Sequence, residues 1–580
     1  MTYKKLLLGK LMILIPYLVE CINCPAPCKC NIIAGSDCSN ASLSQLPPGL
    51  DRDLSILIAN NNSFSSLSRF TFSKFGNSMF PHLTQLSIEN NRISMVEPST
   101  FEGMRNLKEL NLNKNLLVQI NPSVFRNLHK LDNLNLKHNK FLTLEKGLFR
   151  ELTSLSILDL SENMIEIIRE GAFKGLGSLK KLYMRSNRLD ILGDSIFVDL
   201  GSLVELDLSN NIISIIRSDD FRGLWSLEVL ELMFNRIGII EKEAFIDLSN
   251  LNRLDLDDNA IKSLRGSVFK GLVNLDTLYI SDNQFEHLGS DSFLGLQNLS
   301  TLYITSNNIQ VIESSTFQQT PNLEFLFLAS NHRLRLPEDD AFIYSGSLYY
   351  LDLSDCNLTH IPSPTFSGLP YLLTLELSNN KLRNVDREAL KPMAERLSQI
   401  NLENNPLECD CHLKSTWIWC KDHEVNLFGK CNNFYGKEKV SWDAFRSVDC
   451  GEELETTNYE NPDEEIEAFL PATEQNDIFI NDGDVYSSHI PMQTTILSRD
   501  VKPNTFSTNN SFMETKKETT LKHTVTGDSR LIVKEYDKAW SVVLILSITV
   551  CLLLMIISGL LVSLIFYRRQ NRTVIYSLPQ

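Results

Sequence analysis

The sequence predicts an α/β solenoid of parallel coils, built from about fifteen repeats of one short unit. A leucine returns every 24 residues from Leu83 to Leu323, over ten intervals without a slip. An asparagine keeps the same spacing from Asn91 to Asn331, and a phenylalanine keeps it from Phe101 to Phe317. Self-similarity at a fixed period of about 20–50 residues is the sequence signature of stacked repeat architectures.

Each repeat reads L-x-x-L-x-L-x-x-N-x-L, and the phenylalanine follows in its second half. In the repeat that begins at Leu155, Leu158 and Leu160 point inward from a short strand, because side chains alternate across a strand. Asn163 follows where the chain must turn, and its amide can donate to and accept from the backbone of neighbouring coils. Phe173 fills the opposite wall. A single coil cannot bury its own apolar face, so the array is stable only as a stack.

This unit resembles the leucine-rich repeat of extracellular proteins. The resemblance implies a right-handed horseshoe with a concave parallel sheet, over residues 54–404. An irregular first coil begins at Leu54, and later coils begin at Leu348, Leu372 and Leu397, with one-residue insertions before Leu348 and Leu397. At Cys356 a cysteine replaces the repeated asparagine. We interpret it as a buried thiol, with a disulfide or a nucleophile as the alternatives.

Cysteine clusters flank the array on both sides, within the predicted caps 22–53 and 405–450. Both clusters resemble the cysteine-rich caps of secreted leucine-rich-repeat proteins. That resemblance implies the pairs Cys24–Cys30, Cys28–Cys38, Cys409–Cys431 and Cys411–Cys450. Four cysteines alone allow three connectivities per cap, and metal binding is the alternative use of such clusters. Clustered cysteines suit an oxidising compartment. Cys420 lies outside these pairs and is interpreted as a buried free thiol, with an intermolecular disulfide as the alternative.

Two apolar segments predict the membrane topology. Lysines precede an apolar run from Leu11 to Val19, which is typical of a signal peptide, predicted over residues 1–21. Ser541 to Phe566 is a run of 26 residues without a charge, long enough to cross a bilayer. The predicted span is 540–567, and the arginines that follow place the tail, residues 568–580, in the cytosol. We therefore expect a single-pass type I protein of the plasma membrane, with the array outside.

The segment before the predicted span, residues 451–539, is predicted to be a disordered stalk. Residues 451–484 carry twelve acids and no Lys or Arg, and residues 494–527 are rich in Thr and Ser. Tyr459 and Tyr486 resemble sulfation sites of the platelet adhesion receptor, with a solvated acidic linker as the alternative. Sequons predict glycans at Asn40, Asn61, Asn298, Asn357 and Asn509.

Side chains at outward strand positions do not pack in the core, so their residue types indicate where a ligand binds. Successive coils place five aromatic residues there, which we call the aromatic patch: Tyr279, Tyr303, Phe325, Phe327 and Tyr350. Such rings are typical anchors of protein interfaces, although ring packing that only stabilises the sheet is the alternative.

Upstream on the same face lies a predicted acidic zone, relieved by Arg253 and Arg236, that would steer a basic partner. Met233 and Phe234 bridge it to the aromatic patch. Its acids are Glu205, Asp207, Glu231, Asp255, Asp257 and Asp258, of which Asp255 and Asp257 are candidate ligand-binding residues.

The sequence carries no motif for catalysis, a cofactor or a metal, and its net charge of −16 disfavours nucleic-acid binding. The chain resembles type I leucine-rich-repeat membrane proteins, including Slit-like, synaptic and platelet-type adhesion receptors. The resemblance implies a cell-surface recognition or adhesion receptor for a protein ligand. An auxiliary subunit that modulates a channel or receptor in the same membrane is the alternative. The short tail implies a co-receptor.

Overall fold

The structure, a computed structural model, divides the chain into two units, Met1–Asp463 and Glu464–Gln580. It describes residues 24–31, 35–72, 80–264, 266–432, 439–442 and 450, all in the first unit. The predicted signal peptide, stalk, membrane span and tail lie outside the described residues, as do Tyr459, Tyr486 and Asn509.

The described chain is organised around one sheet of 18 strands. The two cap strands Lys29–Asn31 and Gly35–Asp37 pair antiparallel, and every later pairing in this sheet is parallel. The later strands are Ile56–Ile58, Gln85–Ser87, Glu109–Asn111, Asn133–Asn135, Ile157–Asp159, Lys181–Tyr183, Glu205–Asp207, Val229–Glu231, Arg253–Asp255, Thr277–Tyr279, Thr301–Tyr303, Phe325–Phe327, Tyr350–Asp352, Thr374–Glu376, Gln399–Asn401 and Asn426–Phe428. Each of the fifteen predicted coils contributes one strand, so the predicted parallel sheet is confirmed.

The predicted α/β class needs correction, because the wall opposite the sheet is built mainly from turns and short strands. The chain is a β-solenoid. Paired two-residue strands lie at Ser66–Leu67 and Met95–Val96, Thr143–Leu144 and Ile167–Ile168, Ile215–Ile216 and Ile239–Ile240, and His287–Leu288 and Val311–Ile312. Short helices lie at Pro122–Phe125, Thr316–Gln319, Arg387–Leu390 and Lys391–Met393. After its sheet strand and turn, a 24-residue coil retains too little chain for a long helix. The handedness and curvature that the resemblance implies stay predictions.

The core lies between the sheet and this wall. Leu158, Leu182 and Leu206 are fully buried behind the sheet, in register with one another. On the other wall, the rings of Phe149 and Phe173 stack with their centroids 6.4 Å apart and their planes 7° apart. Each coil therefore buries its apolar residues against those of the next coil, as the repeat predicts.

The repeated asparagine links the backbones of successive coils. Asn211 donates from Nδ2 to the carbonyl of Met184 in the preceding coil (3.1 Å) and to that of Leu208 in its own coil (2.9 Å). Its Oδ1 accepts from the backbone N–H of Leu189, at 3.1 Å. The side chain is 6% exposed, so these bonds form away from water. The predicted ladder role of this residue type is confirmed.

Cys356 replaces this asparagine beside a one-residue insertion. Its thiol lies 3.4 Å from the carbonyl of Leu328, which it contacts as a donor, and it is buried and free. The N–H of Leu334, which a ladder asparagine would otherwise bind, instead donates to the carbonyl of Asn331 (3.0 Å). The inserted residue therefore removes the need for an amide acceptor, and the predicted buried thiol is confirmed.

Disulfides close both ends of the array. The structure forms Cys24–Cys30 and Cys28–Cys38 in front, and Cys409–Cys431 and Cys411–Cys450 behind, which are the pairs that the resemblance implied. The rear cap holds the helix Cys411–Asp422, the antiparallel strands Cys431–Asn432 and Lys439–Val440, and a free, buried Cys420. Among the helices that the structure describes, none is long and apolar enough to cross a membrane.

One buried carboxylate interrupts the apolar wall. Asp220 is 1% exposed, its Oδ2 accepts from the backbone N–H of Arg217 at 2.7 Å, and its Oδ1 is buried without a hydrogen-bond partner. Burial raises the pKa of Asp220 to about 6. The equivalent residue three coils later is Ser292, whose Oγ accepts the equivalent bond from Gly289 at 3.0 Å.

We predict that Asn211→Ala lowers the free energy of unfolding by about 1–3 kcal/mol, because it leaves the buried N–H of Leu189 and carbonyl of Met184 unsatisfied. Thermal or urea unfolding of the variant measures the loss. Asn252→Ala, which removes an exposed amide, is the matched control. Equal stability of the two variants would contradict the ladder role.

We predict that Asp220→Ser stabilises the protein at neutral pH while keeping the bond to Arg217. Because the folded pKa exceeds the unfolded value of 3.8, the carboxyl destabilises the fold above about pH 6, and this cost disappears below pH 3.8. The expected gain is about 2–3 kcal/mol at pH 8 and shrinks as the pH falls toward 4. Urea unfolding at several pH values checks this, and a pH-independent gain would rule out charge burial as its cause.

Candidate ligand-binding surface

The outward side chains of the long sheet form what we call the sheet face. Strand register puts Tyr279, Tyr303 and Phe327 in one column, one residue per coil. Their rings stack with centroids 4.6 and 4.4 Å apart and planes within 6° of parallel. Parallel strands lie about 4.8 Å apart, so the sheet spacing itself sets this face-to-face stack.

The two remaining rings of the aromatic patch lie in the neighbouring column. Phe325 pairs in register with Tyr350, and their ring centroids are 6.3 Å apart. The ring of Tyr350 also meets that of Phe327 at 5.0 Å and a 41° tilt. The five predicted residues are therefore contiguous. Four are half-buried, while Phe325 is exposed.

This arrangement bears on the alternative that the rings only stabilise the sheet. Their faces are largely occupied by one another, so stacking does stabilise the strands. Their edges, together with the hydroxyls of Tyr279 and Tyr303, remain for a partner. A preorganised ring loses little conformational entropy on binding, which is why rigid aromatic residues make good anchors. The stack therefore suits both roles.

Arg253 joins the aromatic patch to the acidic zone. Its guanidinium lies over the ring of Tyr279, 4.8 Å from the centroid, which is a cation–π geometry. Its Nη2 is 3.2 Å from Oδ2 of Asp255 and 4.0 Å from Oε1 of Glu231, while its Nε is buried without a hydrogen-bond partner. The sequence predicted only that Arg253 relieves the acidic charge. Its contact with a ring in the next coil depends on the tertiary structure, which the sequence pattern does not specify.

The acidic zone is less uniform than its sequence indicated. Asp207 and Asp255 are buried, at 8% and 4% exposure, and each accepts a backbone hydrogen bond from the turn that follows it. Both carboxylates are therefore partly stabilised by hydrogen bonds within the protein and are less available to a partner. Asp257, in contrast, is half-buried, and it accepts from the N–H of Ser281 at 2.6 Å. Burial first, then the charge of Asp255, raises the pKa of Asp257 to about 7.

Glu205 lies at the upstream edge of this zone and is neutralised by a residue that the sequence analysis missed. Lys181, in register with it one coil earlier, approaches its carboxylate to 2.7 Å. The hydrogen bond to Glu205 is the main reason that the pKa of Lys181 is raised. The spacing of 24 residues between the two could have revealed this pair, since that spacing places residues in register. Among the described residues of this zone, Glu205, Glu231 and Asp255 have ion-pair partners, so the half-buried carboxyls without one are Asp257 and Asp258.

Four of the five predicted glycan sites lie among the described residues. Asn40, Asn61, Asn298 and Asn357 are all exposed. Asn298 lies just before its coil begins and donates from Nδ2 to the carbonyl of Val273 at 2.8 Å. None of the four is in a sheet strand, so glycans there would leave the strand centres open. Glycosylation itself stays a prediction.

These side chains lie on a repeat scaffold, and comparison with known proteins identifies that scaffold. A sequence profile described as leucine rich repeat matches residues 81–141, 129–189, 178–237, 225–285, 274–332 and 346–407, which together cover more than half of the chain. The chain belongs to the leucine-rich repeat family.

Among curated relatives, a stretch of 93 residues is 31% identical to phospholipase A2 inhibitor beta of Elaphe climacophora, covering 15% of this chain and 27% of that protein. A stretch of 96 residues is 34% identical to trophoblast glycoprotein of Macaca fascicularis, covering 16% and 22% respectively. The chain thus spans about a quarter of the length of these relatives.

Two solved structures share the fold. TLR13, in its complex with ssRNA13, has a TM-score of 0.52 and 25% identity, covering 66% of this chain and 57% of that one. A chain of the glycosylated Toll–Spatzle complex of Drosophila has a TM-score of 0.52 and 20% identity, covering 69% and 61%.

We predict that Arg253→Met lowers the free energy of unfolding by about 1–2 kcal/mol, because it leaves the buried Asp255 carboxylate unpaired and removes the cation from Tyr279. The estimate is modest because the arginine side chain is 40% exposed. The double variant with Asp255→Asn should recover part of the loss, and urea unfolding of all four proteins gives the coupling. Additive losses would show that the two side chains do not interact.

Proposed function

We propose that this protein is a cell-surface recognition or adhesion receptor that binds a protein ligand through its sheet face. The observation that carries the proposal is the aromatic patch. Five rings lie next to one another at outward strand positions, where packing does not require them. Solenoids commonly use their extended surfaces for recognition, and this supports a binding role for the chain.

The kind of ligand follows from the charge beside the rings. The net acidic zone attracts basic protein surfaces and repels the phosphates of nucleic acids. The RNA ligand of TLR13 therefore does not transfer to this chain, whereas a protein ligand, as in the Toll–Spatzle complex, agrees with the sheet face. Aromatic side chains flanked by charge are also the usual composition of protein interface anchors.

The proposed location is the plasma membrane, with the array outside the cell. Four disulfides support an oxidising compartment. The uncharged run within 540–567 and the arginines after it support a single span.

We predict that Tyr303→Ala and Phe327→Ala each weaken ligand binding about thirtyfold or more without unfolding the array, because buried aromatic anchors typically contribute about 2 kcal/mol each. Cells displaying the full chain are screened against soluble ectodomains and secreted proteins, and affinities are then measured for the partner found. Replacing Asp257 with Asn should act mainly on the association rate and its salt dependence.

Tyr371→Ala is the matched control, since Tyr371 is 46% exposed and lies outside the sheet strands. Surface expression and thermal unfolding of every variant exclude misfolding. Full affinity in both Tyr303→Ala and Phe327→Ala, with the partner still bound, would move the ligand site away from the aromatic patch.

A further inference from the structure

The residue just before each ladder position has a positive φ in all fifteen coils, between 51° and 60°. Fourteen of these residues are polar, and one is a phenylalanine, Phe234, with φ 55°. The fourteen are Asn61, Asn90, Lys114, His138, Glu162, Ser186, Asn210, Asp258, Asp282, Ser306, Ser330, Asp355, Asn379 and Asn404.

A phenylalanine is the least suited of these side chains to this backbone. The left-handed region crowds Cβ against the following carbonyl, and Asn and Asp tolerate it best because they hydrogen-bond locally. Burial does not offset the cost, since Phe234 is 44% exposed. A bulky residue held in a disfavoured conformation and left in solvent is a reason to look for a function.

Phe234 lies at the edge of the acidic zone. Its backbone N–H donates to the carbonyl of Asp257 in the next coil at 3.1 Å, and Asp258 occupies the equivalent position there. Met233, half-buried, precedes it and supplies a second apolar side chain. The coil of Tyr303 is three coils further on, about 14 Å along the sheet. Two apolar anchors thus flank one cluster of carboxylates.

Among the residues that the structure describes, no ion pair neutralises Asp257, Asp258 or Asp282. Burial first, and then the charges of Asp255, Asp282 and Asp258, raise the pKa of Asp257, and the hydrogen bond from the N–H of Ser281 opposes this. Arg253 is already paired with Asp255. A cation delivered by a partner would therefore meet uncompensated negative charge, which is the complementarity that favours a basic ligand.

We propose that Phe234, together with Met233, is a second anchor of the ligand site, and that the ligand presents there a protein segment with a cationic side chain flanked by apolar residues. The inference rests on the proposed function and names the chemistry of its partner. In an extended segment, alternate residues lie about 6.8 Å apart on one side, so apolar–x–cation–x–apolar spans about 14 Å. That length matches the separation of the two anchors along the sheet.

The test uses biotinylated peptides with the core Phe-Ser-Arg-Ser-Phe, tetramerised on streptavidin, on cells that display the full chain. Companion peptides carry Glu or Gln in place of Arg, or Ser in place of each Phe. The decisive variant is Phe234→Asn, because asparagine is the residue found at Asn210 and Asn379. Asn210→Phe is the reciprocal variant, and Tyr371→Ala is the control. Thermal unfolding of the full chain in nanodiscs is measured in parallel.

We expect the parent protein to bind the Arg peptide at least tenfold more tightly than the Glu peptide, and Phe234→Asn to lose at least tenfold while its Tm rises by about 1–2 °C. Asn210→Phe should lower the Tm and add no binding. If the parent protein binds the Arg peptide no more tightly than the Glu peptide, the proposed chemistry of the partner is wrong. An unchanged affinity or a lower Tm for Phe234→Asn overturns the second anchor. If Tyr303→Ala loses affinity while Phe234→Asn does not, only this inference fails. If neither variant loses affinity, the proposed function fails as well.

Discussion

Hydrogen bonding between coils through the repeated asparagine is the constraint on which the rest of this structure depends. Each coil is too small to bury a core of its own, so it must sit on its neighbour at the strand spacing of a parallel sheet. The asparagine side chain serves both coils at once, as at Asn211, where it binds backbone groups of its own turn and of the preceding coil. Where the asparagine is missing, at Cys356, an inserted residue redirects the N–H that it would have bound.

This fixed spacing also creates the candidate site. Rings placed at the same outward position of successive coils are forced to stack, which is why Tyr279, Tyr303 and Phe327 form one rigid column. Arg253 covers one end of that column and at the same time pairs with Asp255. The aromatic and acidic parts of the sheet face are therefore one electrostatically connected surface, and a change in one part should be felt in the other.

The departures from the repeat are informative because the repeat is so regular. Asp220 places a buried carboxylate in a column that otherwise holds small or apolar residues and hydroxyls, and Phe234 places an exposed ring where other coils have a polar residue. Both disfavour the fold locally. At the position equivalent to Asp220 three coils later, Ser292 makes the same backbone hydrogen bond without a charge. Phe234 is 44% exposed, so burial offsets little of its cost, and its position beside Asp257 offers a functional explanation.

The sequence alone determined the solenoid, the parallel sheet, the start of every coil and the identity of the outward residues, because a period of 24 residues leaves no freedom of register. The cap disulfides followed from resemblance and are present in the structure. The predicted α/β class did not describe the opposite wall, since turns and two-residue strands have no periodicity of their own to reveal them. Only the tertiary structure decided which acids keep their charge for a partner. Burial of Asp255 and the pairing of Lys181 with Glu205 depend on side-chain positions across coils, and residue identity does not specify those positions.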